Sequence, residues 1–159
     1  MTIRIAIIGD PFIPSKTFKL SLNNHLKSIK PKINIKFLTK DLKEKNLKPL
    51  ASKEVSEAFG NQNDVIKIAK SANILITTFA PITEYVLKNC KNLSIVACGR
   101  GGPINVNIKA STNENVMVLF APGRNIDAVV EYTLANIINL VRKIPQAIDY
   151  VKKINGKLH

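Results

Sequence analysis

The sequence predicts an α/β protein built on one open, doubly wound parallel sheet, and three observations predict it. Five short apolar runs are spaced along the first 120 residues. Between them lie segments whose apolar residues recur every three or four positions, which is the helical period. From residue 125 a longer apolar segment keeps that period to residue 144. Strands that alternate with helices form a parallel sheet covered on both faces.

The predicted strands are the five apolar runs. The first, IRIAIIG, is apolar almost throughout, as expected of a strand buried on both faces. The second, INIKFLT, alternates apolar and polar residues, and the others are ILITT, LSIVA and VMVLF. We therefore expect strands at residues 3–9, 33–39, 74–78, 93–97 and 116–120.

Caps, prolines and glycines set the expected bounds of the helices. The first helix is expected to begin with Ser15 as its cap and to end at Pro31. A long helix is expected from Asn125, and Pro145 must kink it or start a new one. The shorter helices are expected at residues 53–59 before Gly60, after a cap at Asn63 or Asp64, at 82–89 and at 107–113, with a surface loop at 40–52.

Length and composition indicate one globular domain. The 159 residues are 45% hydrophobic, which is enough for a well-buried core. No apolar run approaches the roughly 20 residues of a membrane span, and the first residues lack the pattern of a signal peptide. Cys90 and Cys98 have neither the spacing of a disulfide framework nor that of a metal site. We expect buried thiols in a cytoplasmic protein with no bound metal and no membrane contact.

The net charge of +13 admits nucleic acid, an anionic substrate or a solvated lysine-rich surface. Only four of the 24 basic residues are Arg, and there is no Trp. Nucleic-acid modules usually add Arg or aromatic residues to read or stack on bases. This composition favours the solvated surface over nucleic acid. A non-enzymatic ligand-binding or interaction domain, associated with nucleic acid through its basic surface, remains the alternative.

The stretch ACGRGGP follows the fourth predicted strand, and open α/β sheets bind ligands beyond the carboxyl ends of their strands. The dinucleotide pattern G-x-G-x-x-G fails here, because its third position falls at Ile104 and Pro103 removes an N–H donor. Two interpretations remain. The N–H groups of Arg100, Gly101 and Gly102 form a nest for a small anion, or the turn uses glycine for geometry alone.

No catalytic set is apparent in the chain. A phosphate loop of the G-x-x-x-x-G-K-[ST] type is absent. The two histidines are His25, on the first predicted helix, and His159, the last residue, and neither has the placement of a general base. We therefore assign no catalytic residue to this chain.

A resemblance covers roughly residues 64–147. The segment KNLSIVACGRGGPINVNIKASTNENVMVLFAPGRNIDAVVEYTLANIINLVRKIPQA resembles the D-isomer-specific 2-hydroxyacid dehydrogenases, the family of phosphoglycerate dehydrogenase. That family carries K-L-K-x-I-x-x-x-G-x-G-x-x-N-(V/I)-D, then N-A-P-G-x-N-x-x-x-V-A-E-x-T, then a long helix ending A-R-x-I-P-x-A. The preceding ANILITT is similar to the family's A-D-I-L-(I/V)-T strand.

The resemblance implies a two-domain enzyme that transfers hydride between a nicotinamide and C2 of a 2-hydroxy or 2-keto acid. Residues 1–124 would be its flavodoxin-like substrate-binding domain, and residues 125–159 the helix that connects to a Rossmann domain. That domain, which binds NAD or NADP and supplies the catalytic residues, is missing from this chain. We expect a truncated or naturally isolated portion that is inactive alone and binds no cofactor tightly.

The resemblance also implies site residues and partners. Backbone N–H groups of Arg100, Gly101 and Gly102 would hold the substrate carboxylate. The other expected site residues are Thr78, Phe79 and Ala80 beside the substrate, where a phosphate-gripping Arg is missing, and Asn125, Ala128 and Val129 beside the cofactor. The expected partners are a small 2-keto or 2-hydroxy acid, the missing Rossmann domain or a partner chain, and a second copy in a homodimer.

Overall fold

The computed structural model describes residues 2–29, 33–43 and 48–155, and the chain divides after Pro122 into two compact units. The first unit contains a sheet of five strands within these ranges, in the order β2-β1-β3-β4-β5, and all four strand pairs are parallel. The predicted α/β fold with a parallel sheet is confirmed. The division lies two residues before the domain boundary expected after residue 124.

Strands and helices alternate through the first unit as the sequence predicts. Its elements are β1 Thr2–Gly9, α1 Ser15–Ile29, β2 Asn34–Asp41, α2 Gln62–Ala69, β3 Ile74–Thr77, α3 Glu84–Asn89, β4 Ile95–Cys98, α4 Ile108–Asn113 and β5 Met117–Phe120. The second unit contains α5 Ile126–Val141 and α6 Ile144–Asn155.

The sheet buries side chains on both faces, which makes the fold doubly wound. On one face Ile5, Ile7 and Ile76 pack with Phe18 and Leu22 of α1. The larger core covers the other face, and its buried members include Ala6, Ile8, Leu75, Val86, Val96 and Val106. Successive residues of a strand point to opposite faces, so a nearly continuous apolar run such as β1 serves both cores.

The start of α1 is fixed by Asp41, at the end of the neighbouring β2. Ser15 is the first helical residue, and its N–H donates to Asp41 Oδ1 over 2.6 Å while its hydroxyl donates to Oδ2 over 3.0 Å. The expectation that the Ser15 side chain caps this helix is therefore wrong. Space is tight here, because a Cβ on Gly9 would lie 2.0 Å from Ser15 N. The expected helix end at Pro31 falls outside the described residues.

The segment 53–59 is not the predicted helix. Its backbone bonds to distant parts of the first unit: Ser56 N–H donates to Ile104 C=O over 2.9 Å, and Phe59 N–H donates to Phe79 C=O over 2.8 Å. Glu57 has a φ of 45°, which breaks any helical run. The next helix, α2, is capped by Asn61 rather than by Asn63 or Asp64. Of the loop expected at 40–52, residues 44–47 are outside the described ranges.

The second unit is a pair of helices. Lys143, with a φ of 52°, separates them, and Pro145 lies in the first turn of α6. Of the two outcomes expected at Pro145, the chain starts a new helix. The long helix begins at Asn125 as expected; Asn125 occupies the N-cap position of α5, and its side chain makes no capping hydrogen bond. None of the helices in the described part has the length and hydropathy that a bilayer crossing requires.

Candidate functional site

The carboxyl ends of the central strands lie side by side at one edge of the sheet. The parallel register aligns Ile8 of β1 with Thr77 of β3, Thr77 with Cys98 of β4, and Cys98 with Phe120 of β5. The turns that begin at Asp10, Thr78 and Gly99 therefore emerge together. This edge, which we call the carboxyl edge, contains the site that the sequence indicates.

Hydrogen bonds hold the turn after β4. The N–H of Gly99 donates to Thr77 C=O over 2.9 Å, and the N–H of Arg100 donates to Cys98 C=O over 2.8 Å. The Arg100 amide is therefore engaged, which corrects the expectation of a three-amide nest. In the parts of the chain that the structure covers, the N–H groups of Gly101 and Gly102 donate to no protein acceptor. The candidate anion cradle consists of these two amides.

Neither packing nor backbone strain accounts for glycine at positions 101 and 102. A Cβ on either would meet nothing within 4 Å, and neither has a left-handed φ. Gly99 differs, since a Cβ there would lie 3.0 Å from the ring of Phe18. The alternative that the turn needs all its glycines for geometry therefore lacks support at Gly101 and Gly102. Two adjacent amides that have no protein acceptor are available to an external carboxylate.

The side chain of Arg100 is already committed. Its guanidinium forms an ion pair with the carboxylate of Glu57, and Nη1 donates to Glu57 C=O over 3.3 Å. Its Cζ also lies 4.8 Å from the centroid of the Phe79 ring, a cation–π distance. The charge of Arg100 is thus paired with that of Glu57, and its guanidinium stacks on the ring of Phe79. The side chain is therefore not available to bind a second anion.

Phe79, which stacks on Arg100, also contacts two further phenylalanines at the carboxyl edge. The ring of Phe79 meets that of Phe59 edge-on at 5.6 Å and that of Phe12 at 6.2 Å between centroids. Phe12, in the turn after β1, is 76% exposed. We call these three residues the aromatic rim. The sequence gives no periodic signal for Phe59 or Glu57 at this edge, because both come from the segment wrongly predicted as helix.

Of the three residues expected at the end of β3, only Phe79 reaches the surface. Thr78 and Ala80 are both 0% exposed. The carbonyl of Ala80 accepts from Asn105 Nδ2 over 2.8 Å, and its N–H donates to Thr77 Oγ1 over 3.1 Å. These hydrogen bonds fix the backbone of the turn that carries Phe79.

Acidic side chains organise the turn between β1 and α1. Asp10 Oδ1 accepts the N–H groups of Phe12 and Ile13, each over 2.9 Å, and this positions Phe12. Asp41 occupies the first amide of α1. A helix N-terminus of this kind is where an α/β protein would bind phosphate, but here a carboxylate already fills it. The turn therefore does not fit a phosphate or the pyrophosphate of a dinucleotide.

Glu54 ties the irregular segment to the two helices behind it. Its Oε2 accepts the N–H of Glu84, at the start of α3, over 2.9 Å and the Nδ2 of Asn107, at the start of α4, over 2.8 Å. The hydrogen bond from the Glu84 backbone, followed by that from Asn107, lowers the pKa of the Glu54 carboxyl. Glu54 thus anchors the segment that presents Glu57 and Phe59.

The expected cofactor-side residues lie in the second unit. Asn125 is the N-cap of α5, and Ala128 and Val129 follow in its first turns. Across residues 2–29, 33–43 and 48–155, no three His, Cys, Asp or Glu side chains converge as metal ligands do. His25 is exposed on α1, with Nδ1 2.8 Å from Ser21 C=O, and His159 is outside the described ranges.

Comparison with known proteins adds to this geometry. A family model described as "D-isomer specific 2-hydroxyacid dehydrogenase, catalytic domain" matches residues 35–154. A putative 2-hydroxyacid dehydrogenase, YoaD, of Bacillus subtilis is 31% identical over 102 residues, which cover 63% of this chain and 29% of that protein. D-3-phosphoglycerate dehydrogenase of Archaeoglobus fulgidus is 29% identical over 100 residues, 63% of this chain and 19% of the relative.

A solved structure shares the fold. The NAD-dependent formate dehydrogenase from Staphylococcus aureus, in complex with NAD, aligns with a TM-score of 0.62 at 17% identity and covers 91% of this chain and 40% of that one. The chain spans less than a third of the length of the two curated relatives. Because the family model matches most of the sequence, the chain belongs to the D-isomer specific 2-hydroxyacid dehydrogenase family, within its catalytic domain.

Proposed function

We propose that this chain is the substrate-binding portion of an NAD(P)-dependent D-2-hydroxyacid dehydrogenase. In the complete protein the reaction would be hydride transfer between the nicotinamide and C2 of a 2-hydroxy or 2-keto acid. The observation that carries the proposal is the pair of adjacent amides at Gly101 and Gly102, which follow β4 at the carboxyl edge and have no acceptor among the described residues. Family membership and the names of the curated relatives support it.

The two amides account for recognition of the acid group. Hydrogen bonds from N–H groups to a carboxylate are short and are worth about 1.5–3 kcal/mol each. The cost of association offsets part of this gain, so we expect the chain alone to bind a small 2-hydroxy acid with a Kd of about 1 mM or weaker. Their role is to orient the acid so that C2 takes a defined position.

The cofactor belongs to a further domain in this proposal. The described turns of the first unit do not fit a pyrophosphate, because Asp41 fills the start of α1 and Pro103 lacks an N–H. The nicotinamide supplies or accepts the hydride when it is bound in the complete protein. We assign Asn125, Ala128 and Val129 to the cofactor side, and place the general acid and base outside this chain.

Binding of D-lactate tests the proposal. In a titration of the ¹⁵N-labelled chain, the amide resonances of Gly101 and Gly102 should shift, with a Kd in the millimolar range. D-lactamide, which lacks the negative charge, is the ligand control and should leave both resonances in place. Gly101→Val should weaken D-lactate binding at least threefold with little change in Tm, because the new side chain enters empty space. Equal shifts with D-lactamide, or none with D-lactate, would contradict the proposal.

Activity of the isolated chain gives a second test. We expect no oxidation of NADH in the presence of pyruvate or glyoxylate, since no described residue is placed to transfer the proton. Turnover by the pure 159-residue chain would show that it holds catalytic groups of its own.

The alternative function rests on the net charge of +13. A nucleic-acid-associated domain would bind DNA or RNA with a steep dependence on salt. Labelled DNA and RNA titrated at physiological salt distinguish the two proposals. We expect no measurable binding of either nucleic acid at physiological salt.

We place the protein in a reducing cytoplasm, where the buried thiol of Cys90 stays reduced.

A further inference from the structure

The aromatic rim contacts Arg100, the residue that precedes the proposed carboxylate cradle. Phe79 contacts Arg100, which immediately precedes Gly101 in the chain. The ring of Phe12 packs edge-on against that of Phe79, and Phe12 is 76% exposed. Asp10 Oδ1 accepts the N–H groups of Phe12 and Ile13, and these two hydrogen bonds hold the turn that carries Phe12. An exposed aromatic ring on a rigid turn offers apolar area to a ligand at low entropic cost.

Among the described residues, the three turns that follow β1, β3 and β4 offer no available positive charge for a second anionic group. The three turns at residues 10–14, 78–83 and 99–106 contain one basic residue, Arg100. Its guanidinium is paired with Glu57 and stacked on Phe79, and its side chain is only 14% exposed. Asp10 and Asp41 add negative charge in and beside the first of these turns. A phosphate or a second carboxylate here would have to displace Glu57 or lose its hydration without compensation.

From these two observations we infer that the site selects 2-hydroxy and 2-keto acids with an apolar, aromatic side chain and rejects phosphorylated ones. The inference rests on the proposed function. The carboxylate binds at Gly101 and Gly102, and the side chain of the acid packs on the exposed ring of Phe12 and on Phe79. The substrate class therefore differs from that in the name of the D-3-phosphoglycerate dehydrogenases among the relatives.

Three stable D-2-hydroxy acids test the inference on the full 159-residue chain. D-lactate, D-3-phenyllactate and D-3-phosphoglycerate are titrated separately, and Kd is taken from the Gly101 and Gly102 amide shifts. We expect D-3-phenyllactate to bind about tenfold more tightly than D-lactate. Its ring should also shift the aromatic proton resonances of Phe12. D-3-phosphoglycerate should bind no more tightly than D-lactate.

Single substitutions test which residues determine the preference among these three acids. Phe12→Ala should reduce the tenfold preference for D-3-phenyllactate to less than about threefold, and the high exposure of Phe12 means that the fold tolerates the change. Ile29→Ala is the matched control, because Ile29 is 71% exposed at the far end of α1, and the preference should persist. Glu57→Gln should release Arg100 and strengthen binding of D-3-phosphoglycerate at least threefold.

The outcomes separate the inference from the proposed function. If D-lactate shifts the two amides but D-3-phenyllactate binds no more tightly, the inference is overturned and the proposed function stands. If D-3-phosphoglycerate binds the unaltered chain more tightly than both other acids, the inference is likewise overturned. If none of the acids shifts the amides, the proposed function fails and the inference fails with it.

Discussion

Thr77 and Thr78 are neighbours with the same burial and opposite hydrogen bonding. Both are 0% exposed. The hydroxyl oxygen of Thr77 accepts the N–H of Ala80, whereas that of Thr78 has no partner within the described ranges. A buried polar group that has no hydrogen-bond partner destabilises the fold. Removing one partner of a buried hydrogen bond therefore costs more stability than removing a hydroxyl that has no partner. Comparing the two positions therefore distinguishes what a buried hydrogen bond contributes to the free energy of unfolding from what a buried hydroxyl without a partner contributes.

Replacement of each threonine by valine, which keeps the shape, should have different effects on stability. Thr77→Val should lower the free energy of unfolding by about 1–3 kcal/mol, because the Ala80 amide is left buried and unpaired. Thr78→Val should be neutral or stabilising by up to about 1 kcal/mol. Urea denaturation followed by circular dichroism measures both. Equal losses in the two variants would mean that a buried water serves Thr78.

Arg100 shows how much of the site can be read from single residues. The position of the Gly-rich turn after β4 could be predicted, since the strand pattern and the glycines are local signals. That the amide of Arg100 bonds back to Cys98, and that its side chain pairs with Glu57, are tertiary facts. The two residues of that ion pair are 43 positions apart, and no local pattern links them.

At the scale of elements, the start of α3 depends on a carboxylate from another segment. Glu54 accepts the first N–H of α3, and this bond holds its pKa below the ordinary value of 4.5. A group whose pKa is depressed by folding contributes stability above its unfolded-state pKa and loses it as the pH falls. The contribution of Glu54 is therefore present above about pH 4.5 and disappears as the pH falls through the lower folded-state pKa.

Glu54→Gln should flatten the dependence of Tm on pH in this acidic range. Thermal unfolding recorded from pH 6 down to pH 3 compares the variant with the unaltered chain. Glu131→Gln, which makes the same change on α5, controls for the loss of one negative charge. If the two variants give the same profile, the hydrogen bond from α3 does not set the acid sensitivity.

Elements with regular periods were predictable, and the irregular segment was not. Every predicted strand overlaps an observed one, because alternation and apolar runs are set by burial on the sheet faces. Residues 53–59 carry apolar residues near helical spacing before a glycine, so they imitate a helix. Their amides instead bond to Ile104 and Phe79, in turns that follow much later in the chain. Such long-range bonding overrides local propensity, and Glu57 and Phe59 were therefore not identified from the sequence as site residues.

At the scale of the whole molecule, the larger core reports on the integrity of the first unit. Cys90 is 1% exposed within that core, and burial raises the pKa of its thiol to about 11. At pH 8 only roughly one in a thousand of the buried thiols is ionised. Modification of Cys90 therefore requires the unit to open.

Native protein should react with a thiol reagent at Cys90 at least about 100-fold more slowly than protein unfolded in urea at the same pH. Mass spectrometry after digestion assigns the modified residue. Addition of D-3-phenyllactate should slow the reaction further, because a ligand that binds only the folded state stabilises it. Comparable rates in native and unfolded protein would contradict the buried position of Cys90.

The carboxylate of Asp41 gives α1 a built-in counterion. Because it is covalently tethered, its occupancy of the helix end does not depend on the concentration of dissolved salts. A helix end without such a tether would be stabilised by phosphate or sulfate in the medium, in proportion to their binding. Asp41→Asn should remove the bound carboxylate from this end of α1. The Tm of the variant should therefore rise more than that of the parent when chloride is replaced by phosphate at equal ionic strength. The chain thus supplies its own anion at the start of α1.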